Sequence, residues 1–240
     1  MSALRVAVVY PDLLGTYGDG GNGEILGRRL AWRGIEATVL QAISSEPIPE
    51  ADLYCLGGGE DGPQVLAAER LRRDETFAGA VKDGAVVFAV CAGFQIVGRS
   101  FPGANGEIHQ GVGLLDIETT KGTGARAVGE VAVRIREDLK LGHAIPTVSG
   151  FENHGGVTTL GSGVVPLGDV RFGVGNGGGD GTEGAMAGRV IGTYLHGPVL
   201  ARNPALSDLL LQMALGGGAL DPLDDSAEDE LRQERLAKLS

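Results

Sequence analysis

Ala85-Val86-Val87-Phe88-Ala89-Val90-Cys91-Ala92-Gly93-Phe94-Gln95-Ile96-Val97-Gly98 decides the fold. Its first six residues are apolar without a polar alternation, the pattern of a strand buried on both faces inside a parallel sheet. At Cys91 the run meets two small residues, Ala92 and Gly93, after which Phe94, Ile96 and Val97 resume at a spacing that suits a helix. A strand turning at once into a helix around a nucleophile is an elbow. Small neighbours permit the sharp bend, and the helix N-terminus beyond it offers unpaired N–H groups and the positive end of a dipole. Cysteine is also a common inert core residue. Position at the bend is what makes Cys91 the candidate nucleophile, whereas Cys55, inside Leu53-Tyr54-Cys55-Leu56, reads as the core of another strand.

Outward from the elbow the chain has a βαβ rhythm. Residues 4–9 read as a first strand, followed by a polar, glycine-rich loop from Asp12 to Gly23. A helix is expected over 24–33, with Ile25, Leu26, Leu30 and Trp32 as apolar candidates and Gly34 as its stop. Strands follow at 37–40 and 53–56, which predicts a parallel sheet with helices on its faces. The 53–56 strand runs into Gly57-Gly58-Gly59, bare backbone at the carboxyl edge where open α/β sheets bind ligands. Those N–H groups are candidates for an oxyanion hole facing Cys91. A helix over 63–73, with Leu66 and Leu71 toward the sheet, and a short one over 77–82 lead back to the central strand. The glycine-rich loop lacks G-x-G-x-x-G spacing, and G-x-x-x-x-G-K-[ST] is absent from the chain, so no phosphate-cradling loop is read here.

Beyond the elbow, 101–110 reads as loop, 113–120 as strand, and 129–135 as an alternating strand of antiparallel type. Residues 148–153 lead to His154, and 188–194 to Tyr194-Leu195-His196-Gly197-Pro198; a helix returns at 205–215. The tail carries six acidic side chains between Asp221 and Glu230. A helix over 227–239, with Leu231, Leu236 and Leu239 as its few apolar positions, is expected to be solvated and loosely attached. The chain thus divides into a domain at 1–215 and an acidic linker and terminal helix at 216–240.

The totals bound the function. With 240 residues, 42% of them hydrophobic, there is ample core. Two cysteines build no disulfide framework and suit a reducing, cytoplasmic setting. The first apolar run is too short for a signal peptide, and no stretch is long enough to span a bilayer. A net charge of −11 argues against nucleic acid and against an anionic membrane surface as partners. No pair of Cys or His residues has zinc-ligand spacing, so no metal site is expected.

A thiol nucleophile benefits from an imidazole within reach. Of His109, His143, His154 and His196, the last follows a strand at its carboxyl end, the edge that also holds Cys91. His154, followed by two glycines, is the rival.

Several motifs now converge on one family. Cys91-Ala92-Gly93-Phe94-Gln95 is similar to the Cys-x-Gly-x-Gln elbow of class I glutamine amidotransferases, and Gly57-Gly58-Gly59 resembles their oxyanion loop. Gly192-Thr193-Tyr194-Leu195-His196-Gly197 resembles the histidine motif of the cobyric acid synthase-like branch. Within that branch, Gly150-Phe151-Glu152-Asn153-His154-Gly155-Gly156 looks most like the glutaminase subunits of lipid II isoglutaminyl synthases. The resemblance extends from about Val9 to Leu211. It implies a flavodoxin-like, mostly parallel sheet flanked by helices, with extra antiparallel strands.

The resemblance also implies roles. Cys91 would attack the side-chain amide of L-glutamine, with His196 as base and then acid. Gly58, Gly59 and Ala92 would hold the oxyanion, Gln95 would help bind substrate, and Arg126 would take its α-carboxylate, which a guanidinium fork suits. No cofactor is expected in this chain. ATP and Mg would belong to a Mur-ligase-like partner in a heterodimer, which would receive ammonia and convert D-glutamate of the lipid II stem peptide to D-isoglutamine. Where many class I enzymes carry a glutamate two residues after the histidine, this chain has Pro198. A Cys91/His196 dyad is therefore expected, with no orienting acid assigned. Two other readings stand beside it: a glutaminase for corrinoid amidation, and a catalytically silent α/β binding module.

Overall fold

The elbow strand is the middle of the molecule. In the computed structural model, which describes residues 3–139, 145 and 147–239, Val86–Val90 is buried along its whole length. In chain order the strands are β1 (Leu4–Val9), β2 (Ala37–Ala42), β3 (Leu53–Leu56), β4 (Val86–Val90), β5 (Ser100–Pro102), β6 (Ile108–Gln110), β7 (Ile117–Lys121), β8 (Ala127–Ile135), β9 (Val148–His154), β10 (Gly156–Leu160), β11 (Gly168–Phe172), β12 (Thr182–Glu183), β13 (Ala185–Ala187) and β14 (Val190–Thr193). The helices are α1 (Gly21–Trp32), α2 (Asp61–Leu71), α3 (Glu75–Lys82), α4 (Ala92–Val97), α5 (Val199–Arg202), α6 (Pro204–Ala214) and α7 (Ser226–Ala237).

The main sheet has the order β13-β14-β4-β3-β1-β2. All neighbours from β14 to β2 are parallel, and β13 closes the edge antiparallel. This is the doubly wound arrangement of the flavodoxin-like class, in which ligands bind outside the carboxyl ends of the strands. Two smaller sheets, β10-β7-β5-β6 and β12-β11-β8-β9, supply the antiparallel strands. The expected strand at 129–135 is β8, antiparallel to both β9 and β11.

Several boundaries differ from expectation for physical reasons. Helix α1 begins three residues early because its glycines serve packing: a Cβ on Gly23 would lie 2.4 Å from Val8 Cγ2, and one on Gly27 2.5 Å from Val39 Cγ2. Bare backbone there lets the helix press onto β1 and β2, which outweighs glycine's cost in a helix of about 1 kcal/mol. Trp32 and Leu66, read as core-facing, are 57% and 40% exposed, so their helices meet the sheet through other residues. The segment read as loop at 101–110 contributes β5 and β6, whose three-residue length is too short to show a period. The strand expected over 113–120 occupies only Ile117–Lys121.

The tail is not loosely attached. Arg29 of α1, 2% exposed, reaches Asp208 through Nε and NH2 at 2.8 Å each, and Asp225 through NH1 and NH2 at 2.6 and 2.9 Å. Arg33 adds a 2.6 Å contact to Asp208. Burial alone would lower the pKa of Arg29, but the two carboxylates raise it instead. Helix α7 docks through polar side chains as well: Arg235 joins Arg202 on Glu130, and Arg232 is buried while Leu231 is 60% exposed. Removing one partner from a buried ion cluster costs about 3–5 kcal/mol because the others are left unpaired. Arg29→Met is therefore expected to lower unfolding free energy by about that much. Urea titration checks this, and a loss below about 1 kcal/mol would show the cluster to be dispensable.

Candidate active site

Four adjacent strands deliver one residue group each to the same rim. In the order β14, β4, β3, β1, their carboxyl ends lead into His196, Cys91, Gly57-Gly58-Gly59 and the loop containing Asp19. The rim is held in register by Thr193↔Val90 and Leu56↔Ala89, and by the Cys91 N–H donating to Thr193 O at 2.8 Å.

Cys91 sits at the elbow with φ +52° and ψ −105°, immediately before α4. A non-glycine residue there stores strain of about 1–3 kcal/mol, which the flanking strand and helix must hold in place. The bend also needs bare backbone beside it. A Cβ on Gly93 would lie 2.8 Å from Leu56 Cβ and 3.0 Å from Gly57 O. The thiol is 6% exposed and lies 3.9 Å from the carbonyl oxygen of Asn153.

His196 is 2% exposed, and its backbone is fixed by a pair of hydrogen bonds with Phe151 of β9 at 2.8 and 3.0 Å. Its Nδ1 lies 2.8 Å from Asp19 Oδ2, an ion pair between two fully buried side chains. Its Nε2 has no hydrogen-bond partner among the described residues. Burial by itself would lower the imidazole's pKa. The Asp19 carboxylate and the nearby Cys91 sulfur reverse that and push it up to about 9. The ring therefore keeps its proton through neutral pH, with Nδ1 held by the carboxylate and Nε2 left for chemistry.

Asp19 is the residue that sequence reading missed. It stands 177 positions from His196, in the glycine-rich loop whose spacing fits no nucleotide cradle. Its available signal was an acidic residue between two glycines after the first parallel strand, on the edge that carries the nucleophile. The same carboxylate oxygen also accepts the Gly58 N–H at 2.9 Å. Gly58 is thus part of the site, but its N–H is given to Asp19 and does not face the thiol as an oxyanion donor. A Cβ there would strike His196 Cε1 at 2.5 Å, so bare backbone is needed for packing. The Gly59 N–H has no partner among the described residues, and Ala92 opens α4, where N–H groups have no intrahelical acceptor.

A cleft of about 220 Å³ opens at the thiol; Gly59, Cys91, Ala92, Gln95, Arg126 and Asn153 are among its walls. Gln95 forms its floor: it accepts from Gln64 Nε2 at 2.8 Å and donates to Tyr194 OH at 3.1 Å. Arg126 stands exposed at the mouth, bonded to Asn153 at 2.6 and 3.0 Å. A larger groove of about 950 Å³ runs along α6 and the tail, far from these residues in the fold.

The other histidines take different places. His154 stacks on Tyr194 with ring centroids 3.7 Å apart, and its Nδ1 lies 3.0 Å from Gly156 O, so it braces the wall of the cleft. His109 pairs with Glu107 on β6 at 3.2 Å. His143 lies outside the described residues. Cys55 is a core thiol, pushed up to about 12 by burial. Glu183 braces the end of β14, accepting from Thr193 Oγ1 at 2.9 Å and Tyr194 N at 2.7 Å, and burial pushes its pKa to about 7. Among the described residues, no group of three His, Cys, Asp or Glu side chains could hold a metal ion.

Comparison with known proteins shows the family and the fold. Residues 5–204 match the CobB/CobQ-like glutamine amidotransferase domain. The chain is 35% identical to the lipid II isoglutaminyl synthase (glutamine-hydrolyzing) subunit GatD of Staphylococcus aureus, over 97% of this chain and 95% of that protein. It is 30% identical to a cobyric acid synthase of Limosilactobacillus reuteri, over 85% of this chain but 41% of that protein. Among solved structures, PurLQS from Thermotoga maritima superposes with a TM-score of 0.61 at 19% identity, covering 90% of this chain and 99% of that one, a likeness of fold.

Proposed function

The chain belongs to the CobB/CobQ-like glutamine amidotransferase family and is a glutamine-hydrolysing amidotransferase, and from that premise we propose that it is the glutaminase subunit of a lipid II isoglutaminyl synthase. The observation that carries this reading is the near end-to-end match to a GatD subunit, against a match to less than half of a cobyric acid synthase. The absence of a phosphate-cradling G-x-x-x-x-G-K-[ST] motif supports a division of labour. A Mur-ligase-like partner supplies ATP and Mg chemistry, and this chain supplies nitrogen. No described helix is long and apolar enough to cross a membrane, and both cysteines are free, in keeping with a reducing setting; the heterodimer is supported by the likeness to a named subunit of a synthase.

In this reading Cys91 Sγ, its proton resting on the His196 imidazolium beside it, attacks the side-chain amide carbon of L-glutamine, whose α-carboxylate lies on Arg126. The oxyanion is met by the N–H groups of Gly59 and Ala92. His196, oriented and held protonated by Asp19, gives its Nε2 proton to the departing nitrogen; the C–N bond breaks and ammonia leaves. Water then adds to the thioester while His196 takes one of its protons. The S–C bond breaks, releasing glutamate and restoring the sulfur beside protonated His196, the pair that began the cycle.

The test is to express the chain with its candidate ligase partner and supply lipid II, ATP and glutamine isotopically labelled at the amide nitrogen. The reading expects the label in the α-carboxamide of the stem-peptide D-isoglutamine. Label released only as ammonia, or transferred to a corrinoid but not to lipid II, would contradict it.

A further inference from the structure

The cleft holds a residue with no place in the chemistry above. Asn153, near the end of β9, touches Arg126, Tyr17 and Cys91. Its side-chain Oδ1 accepts from Arg126 Nε at 2.6 Å, and its carbonyl oxygen accepts from Arg126 NH2 at 3.0 Å. Its Nδ2 donates to Tyr17 OH at 3.2 Å, and its carbonyl oxygen also lies 3.9 Å from Cys91 Sγ. Tyr17 in turn lies against the imidazole, ring centroid to ring centroid 4.5 Å from His196. Arg126 and Tyr17 come from loops on different sheets: one precedes β8, the other joins β1 to α1. Both loops are rich in glycine, and the Asn153 side chain links them across the cleft.

We infer that Asn153 is a positioning residue that couples the substrate anchor to the cover of the catalytic imidazole. This rests on the glutaminase reading and deepens it. With Nε and one NH2 hydrogen taken by Asn153, the guanidinium cannot rotate, and its remaining N–H groups are left for a carboxylate. Through Tyr17 the same side chain holds an aromatic ring against His196 and keeps water from the buried Asp19 pair. A bound α-amino acid is therefore registered against Cys91, not merely attracted to it.

Asn153→Ala tests this selectively, because alanine keeps the carbonyl contacts to Arg126 and Cys91 and deletes only the two side-chain bonds. Two reagents separate positioning from folding. A glutamine analogue with a diazoketone in place of its amide reads substrate placement; iodoacetamide reads the thiol alone. The expected result is that the analogue labels Asn153→Ala about 10- to 100-fold more slowly than wild type, while iodoacetamide labelling changes less than about threefold. KM for glutamine should rise about tenfold or more, with a smaller fall in kcat. Tyr17→Phe removes only the far end of the link, so adding it to Asn153→Ala should change nothing further. The inference is overturned if both reagents slow in parallel, if the analogue labels Asn153→Ala at the wild-type rate, or if the two substitutions act additively. If wild type reacts with iodoacetamide but not with the analogue, the glutaminase reading itself falls, and this inference with it.

Discussion

Cys91→Ala is expected to lower glutamine hydrolysis by at least about 10⁴-fold while the fold stands. The magnitude follows from the lack of a second thiol at the cleft among the described residues. Cys55 is fully buried in β3 with its thiol pushed up to about 12, away from the cleft. The fold survives because alanine keeps the Cβ and the contacts of the elbow backbone, including the Cys91 N–H to Thr193 O bond and the Gln95 N–H to Cys91 O bond. Stability should therefore move by no more than about 1 kcal/mol. Ammonia release, measured beside a urea titration, checks both halves. Activity within tenfold of wild type would mean that the chemistry runs elsewhere.

Asp19→Asn is expected to cost about 10²–10⁴ in kcat and to displace the alkaline limb of the pH profile. The amide has nearly the shape of the carboxylate but not its charge, so the imidazole loses the partner that opposes its burial. In wild type the His196 pKa is held at about 9, and the protonated donor persists until pH rises through that value. In the variant the limb should fall toward the ordinary value of about 6.5. The stability consequence has the same sign. A raised folded-state pKa contributes stability that is complete below about 6.5 and is lost as pH climbs through about 9, so Asp19→Asn should be least tolerated at acid and neutral pH. Rate and unfolding measured from pH 5 to 10 test this. An unmoved alkaline limb would show that Asp19 does not govern His196.

What the sequence reveals here depends on how each signal is encoded. The parallel strands around Cys91 are legible because burial on both faces leaves an unbroken apolar run. The elbow and the histidine rim follow from strand ends. Asp19 is hidden because its meaning depends on burial beside a residue 177 positions away, and its neighbours look like any glycine-rich loop. The tail misleads for a related reason. Leu231 has the right chemistry for an anchor yet is exposed, whereas Arg29 and Arg232 look like surface charges and are buried. Charged side chains that pack in pairs leave no periodicity to read. Strands of two or three residues, such as β6 and β12, do not repeat often enough to declare a period. The Gly58 N–H illustrates a finer limit: the sequence places it at the rim, but only the coordinates tell which acceptor it faces.

Peptide mapping after inactivation by the diazoketone analogue of glutamine puts the central claim to the most direct trial. The account predicts a single adduct on Cys91, none on Cys55, protection by excess L-glutamine, and adduct formation slowed at least about tenfold in Asp19→Asn. Modification of Cys55, or labelling of Cys91 that glutamine does not suppress, would contradict the claim that these four strand ends form a glutamine-hydrolysing site.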